Sequence, residues 1–126
     1  MGLKMKKSIS EIECTDAEKL TEKLDLKYNI TFLCWWKQGD TWKLIIVLDN
    51  YNALDKNEIK SDISKEISDI GITSFDSSDC TPLGTSIIDQ SLRKFASMPP
   101  KKFLRAGIES CSVYGLSVEN VMILRA

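Results

Sequence analysis

The apolar positions of the chain concentrate between residues 28 and 49, where YNITFLCWW and TWKLIIVLD flank the polar tetrad KQGD. Two arms rich in β-branched and aromatic residues around a glycine-bearing turn predict a β-hairpin, with Gly39 able to take positive φ. With residues 37–40 as the loop, Trp36 faces Thr41, Trp35 faces Trp42 and Leu33 faces Leu44. Side chains alternate across a strand. One face then carries Leu33, Trp35, Trp42, Leu44, Ile46 and Leu48, and the other Ile30, Phe32, Cys34, Trp36, Ile45 and Val47. Both faces are apolar, which predicts that the second arm is central in a sheet and covered on at least most of both sides.

Helical spacing flanks the hairpin. Thr15 and Glu18 stand at capping-box spacing, so a helix is expected to start there and run to about residue 27, with Ala17, Leu20 and Leu24 turned inward. Residues 8–14 alternate weakly and read as a short edge strand or a lead-in. Ile59, Ile63, Ile67 and Ile70 recur at i, i+4, i+8 and i+11, which predicts a second helix over residues 55–70 with Gly71 as its C-cap. Residues 72–75 suggest a short strand, and DSSDCTPLG (76–84) reads as a loop. A third helix is expected from residue 85 or 86 to 97, stopped by Pro99 and Pro100. A short helix over 101–109 and a terminal strand holding Val121, Met122, Ile123 and Leu124 complete the chain.

This order predicts an α+β fold and a single small domain over residues 1–126, with residues 1–7 as a flexible lead-in. The sheet is expected to be mostly antiparallel, built on the central hairpin with helices packed against it, in the manner of a split βαβ unit. Such a topology implies no function.

Composition narrows the chemistry. The chain has no histidine, which removes the His general base, the Ser–His and Cys–His pairs and the usual zinc sites. The four cysteines, Cys14, Cys34, Cys80 and Cys111, are widely spaced and read as reduced thiols. Cys80, in the polar loop, is expected to be the most exposed. Ser91 and Lys94 match S-x-x-K, a pattern that chance supplies in a chain rich in both residues. Asp49, Asp69, Asp76 and Asp79 lie near element ends but not at calcium-loop spacing. No metal or cofactor is expected. No apolar run reaches the ~18–20 residues of a membrane span. The N-terminal lysines have no apolar segment behind them. A cytoplasmic protein without a membrane partner is the expectation.

Charge separates the remaining readings. Residues 49–80 carry three lysines against eight acids, a net charge of −5, while residues 81–126 carry six basic residues against three acids, net +3. The first reading is a small protein-binding domain, most concretely an inhibitor or immunity-type protein that docks an acidic surface on a basic partner such as a toxin or nuclease. Its candidate contact residues are Trp36, Tyr51, Asp55, Glu58, Asp62, Glu66 and Asp69, with Trp36 standing at the strand end as an aromatic anchor. The alternative is a regulatory domain that binds a phosphorylated small molecule or nucleic acid through the basic 93–105 segment. There Gly84, Thr85 and Ser86 would hold an anion with Lys101 and Lys102. The near-neutral total charge disfavours nucleic acid. An open sheet edge would leave room for a homodimer.

Overall fold

The computed structural model describes residues 9–38, 41–84, 106–108, 111–113, 116–118 and 120–125. It has the α+β fold that the pattern predicts. Helix α1 (Glu11–Leu24) precedes the hairpin strands β1 (Ile30–Gln38) and β2 (Thr41–Leu48). Helix α2 (Lys56–Ile70) and strand β3 (Cys80–Gly84) follow, then β4 (Ala106–Ile108), β5 (Cys111–Val113), β6 (Leu116–Val118) and β7 (Asn120–Arg125). Five strands form one mixed sheet in the order β3-β2-β1-β7-β4, and β5 pairs with β6 apart from it.

The hairpin is central, but its register differs from the expected one. Trp35 lies opposite Leu44, Trp36 opposite Lys43 and Gln38 opposite Thr41, so the ladder continues to a two-residue turn. Gly39 and Asp40 of that turn lie outside the described residues. Each partner has moved by two positions, an even slip that keeps every side chain on its face. Ile30 is the exception. A bulge between Ile30 and Phe32 inserts Thr31, and Ile30 joins Leu33 and Trp35 in the core under the helices. A bulge adds one residue to one strand and so flips the faces beyond it.

The N-cap of helix α1, Ser10, lies five residues before the expected one. Ser10 Oγ accepts from Glu13 N at 3.2 Å, and Glu13 Oε1 accepts from Ser10 N at 3.0 Å. This is the same S/T-x-x-E signature as at Thr15. The earlier start wins because it also places Ile9 and Cys14 at the hydrophobic-staple positions, and both are buried in the core. Residues 11–14 are therefore helical rather than an edge strand. Ser10→Ala is expected to cost about 1 kcal/mol of stability, read as a lowered midpoint in chemical denaturation. α2 matches the expectation closely. Asp55 caps it, accepting from the amides of Asn57 and Glu58, and Gly71 ends it at φ 84°.

The crossover from β2 through α2 to β3 makes β2 and β3 parallel neighbours, with Leu44 opposite Cys80 and Leu48 opposite Gly84. It is a plain βαβ unit, with no strand inserted between the two as a split unit requires. β3 lies inside the stretch expected to be a loop, because its turn-forming residues and Pro82 argue against a strand. The proline is tolerated since β3 ends the strand order, where a missing amide costs the sheet little. Residues 72–75 form no strand, although Ile72 and Phe75 are buried beneath the helices.

Residues 106–108, expected to be helical, pair antiparallel with β7, so cross-strand bonding overrides local helical spacing. β7 is the expected terminal strand, and it also pairs antiparallel with β1. The expected third helix lies outside the described residues.

The core under the helices joins Leu33, Trp35, Leu44, Ile46, Leu48 and Leu124 of the sheet to Ala17, Leu20 and Leu24 of α1 and Ile59, Ile63 and Ile67 of α2. The opposite sheet face is buried as well, at Phe32, Cys34, Trp36, Ile45, Val47, Val121 and Ile123.

Candidate functional site

α2 carries its acids as a stripe. Asp55, Glu58, Asp62, Glu66 and Asp69 recur at three- and four-residue spacing, beside the buried isoleucines. Two acids of that stripe, Glu58 and Asp62, face the segment that follows α1. Lys27, just past the end of α1, donates to Glu58 and, at 2.9 Å, to Asp62 Oδ2. The Tyr28 hydroxyl donates to the same Asp62 oxygen at 2.5 Å. At the other end of the helix pair, Ser74, past α2, donates to Asp16 of α1 at 2.7 Å. The helices therefore run antiparallel, clamped at both ends by polar contacts.

The clamp moves the titration of its members. Hydrogen bonds to Glu58 and Asp62 raise the Lys27 ammonium above its ordinary range. Burial, then the bond to Asp62, pushes the Tyr28 phenol up to about 12. The bonds from Tyr28 and Lys27 hold the Asp62 carboxyl below the usual carboxylate range. The fold thus favours protonated Tyr28 and Lys27, and their contribution to stability is intact below the ordinary Tyr value of 10.0. It is lost as pH rises toward the folded values. Asp62 acts in the opposite sense. Its contribution is intact at neutral pH and is lost as pH falls through the carboxylate range. The melting temperature is expected to drop on both limbs, and Tyr28→Phe is expected to flatten the alkaline one. Thermal melts from pH 3 to pH 12 read both effects.

The remaining candidates divide by how the fold uses them. Asp55 is held by its cap and Glu58 and Asp62 by the clamp, whereas Glu66 and Asp69 make no side-chain hydrogen bond or ion pair among the described residues. Asp69 is exposed and Glu66 half-buried. Tyr51 is half-buried against the core, with the Lys56 ammonium 4.5 Å above its ring and Gly84 beside it, where an added Cβ would stand 3.4 Å from Tyr51 Cβ. Trp36 corrects the expected exposed anchor. It is 7% exposed, on the sheet face opposite the helices, so its ring is not open to a partner.

The other expected chemistry is absorbed by turns. Asp76 accepts from Ser78 N and Asp79 accepts from Asp76 N, closing the 3-10 turn Ser77–Asp79. Asp49 accepts from Asn29 and from its neighbour Asn50. Cys80 is less buried than Cys14 and Cys34, as expected, but it lies on a strand rather than in a loop. It opens β3 half-buried, and burial followed by the nearby Asp79 and Asp76 carboxylates pushes its pKa up to about 12. A thiol so protonated at neutral pH is a poor nucleophile. It borders a cleft of about 320 Å³ together with Lys60, Ile63, Ser77 and Ser78. Thr85, Ser86, Lys101 and Lys102 of the anion reading lie outside the described residues.

Two clusters carry no sequence signal at all. Lys27 and Tyr28 meet partners 31 to 35 positions away. Arg125, 1% exposed, grips both oxygens of Asp25 at 2.9 and 3.0 Å and donates to the carbonyl of Ile30 at 3.2 Å. No periodicity links positions so far apart.

Among the described residues no helix is long and apolar enough to cross a membrane. Compared with known proteins, the chain matches no family model, no curated protein and no solved structure.

Proposed function

We propose that this chain is a protein-binding domain that sets the acidic flank of α2 against a basic partner. In its most concrete form it is an inhibitor or immunity-type protein that neutralises a toxin or nuclease by occlusion. The reading sets both proteins in the cytoplasm. The observation that supports it is the division of the acidic stripe. Asp55, Glu58 and Asp62 are spent on the fold, while Glu66 and Asp69 carry charge with no intramolecular use among the described residues. Segment 49–80 holds a net charge of −5, and concentrated charge of one sign raises association rates and selects partners of the other sign.

Charge reversal at Glu66 and Asp69 tests the reading without touching the clamp. Wild-type protein and the Glu66→Lys/Asp69→Lys variant serve as parallel baits, with captured proteins quantified by mass spectrometry. A basic protein retained by wild type and depleted at least about tenfold by the variant is the expected result. Equal capture by both baits contradicts it.

A further inference from the structure

Leu26 is held in water by a fixed frame. It follows α1 and is 84% exposed, yet its amide donates to the Lys23 carbonyl at 3.2 Å. Both of its neighbours are tied down, Asp25 by Arg125 and Lys27 by Glu58 and Asp62. A contact at a loose chain end would first have to order the backbone, and here that ordering is already complete.

Leu26 borders a cleft of about 340 Å³ with Lys19, Glu22, Lys23 and Ile70. The clamp sets Lys27 level with Glu58 and Asp62, and the Asp16–Ser74 bond fixes the other end of the helix pair. Ile70 thus falls level with Lys19, two turns of α1 from Leu26, a separation of about 10 Å. The cleft is a short trough with an apolar residue at each end. The charge of α1 reverses along it. Over Glu11–Leu24 the helix holds five acids and two lysines, and both lysines line the trough. Neither Lys19 nor Lys23 makes a side-chain hydrogen bond or ion pair among the described residues. Glu22 is the one acid in the lining, which leaves it net positive on an otherwise acidic helix. A purely apolar occupant would leave both ammonium groups unanswered, and a basic one would meet them as like charges.

We propose that this trough receives an amphipathic helix of a partner protein, with apolar residues two turns apart and carboxylates on the flank that meets Lys19 and Lys23. Side chains at i and i+7 share one face of a helix and stand about 10 Å apart, which matches the spacing of Leu26 and Ile70. Apolar burial against Leu26 drives the contact, and the two lysines orient the incoming helix and turn away basic ones. The site calls for the opposite charge from the partner of Glu66 and Asp69, and it does not rest on that docking.

Fluorescence anisotropy of the full chain with a labelled synthetic peptide tests it. The probe is an alanine-based helix with leucines at i and i+7 and glutamates along one flank. Saturable binding between micromolar and millimolar concentration is expected. Leu26→Ser and Lys19→Glu/Lys23→Glu are each expected to weaken it at least about tenfold. All three side chains are exposed, and unchanged melting curves check that the variants fold. The same peptide with lysines in place of its glutamates is expected to bind Lys19→Glu/Lys23→Glu more tightly than wild type. No saturable binding of the glutamate peptide at millimolar concentration, binding that survives Leu26→Ser, or an equal response of the two peptides to Lys19→Glu/Lys23→Glu overturns the proposal.

Discussion

Trp35→Ala is expected to cost about 3–5 kcal/mol of folding stability, the range for deleting a fully buried large aromatic side chain. Trp35 sits where every layer of the domain meets. It is 1% exposed, stands opposite Leu44 on β2 and Met122 on β7, and lies in the core under both helices. Phe75 packs edge-on against its ring at 5.2 Å. Its indole N–H donates to the carbonyl of Glu13 at 3.3 Å, tying the first turn of α1 to the sheet. The alanine variant loses the packing and the hydrogen bond together. Trp35→Phe keeps most of the volume and loses mainly the bond, a cost of about 1–2 kcal/mol. Urea unfolding of the three proteins separates the two contributions. Small domains hold only ~5–15 kcal/mol in total, so the alanine variant is expected to be partly unfolded at physiological temperature.

Arg125→Ala is expected to destabilise by about 3 kcal/mol, toward the low end for breaking a buried ion pair. The low end applies because the Asp25 side chain keeps 20% of its surface in water. Arg125 links the end of β7 to the turn after α1 and to the backbone of β1 at Ile30. Its removal takes the counter-charge from Asp25 and one hydrogen bond from the carbonyl beside the Thr31 bulge. Replacing both partners, as Asp25→Asn/Arg125→Met, is expected to recover part of the loss. Well-packed apolar groups often substitute for a buried pair without penalty. A thermal-melt double-mutant cycle gives the coupling between the two side chains.

The legible parts of the fold were those with a short-range period. The isoleucine stripe of α2 and its Gly71 cap could be read directly, as could the two apolar faces of the hairpin. Where two local solutions competed, a longer-range contact decided. Thr15 and Ser10 offer the same capping signature, and only the burial of Ile9 and Cys14 selects Ser10. β3 was hidden because Pro82 reads as a strand breaker until its edge position is known. The bulge at Thr31 leaves no trace in the alternation, which alone places Ile30 on the opposite face.

The candidate site was legible as charge and illegible as geometry. Spacing places the acids on one helix, but it does not reveal that Lys27 and Tyr28 take up two of the five, Glu58 and Asp62. Nor did it separate Trp36 from an exposed tryptophan, since one strand position decides between surface and interior. The proposed docking therefore rests on Glu66 and Asp69, the acids of the stripe that make no hydrogen bond or ion pair among the described residues.

The association rate between the chain and a basic protein that it captures tests the proposed acidic docking most directly. Stopped-flow mixing at about 50 mM and about 500 mM salt compares wild type with Glu66→Lys/Asp69→Lys. The wild-type rate is expected to fall at least about tenfold across that range, and the variant to associate slowly at both concentrations with a flattened salt dependence. A rate that neither salt nor charge reversal alters would contradict docking through the acidic flank of α2.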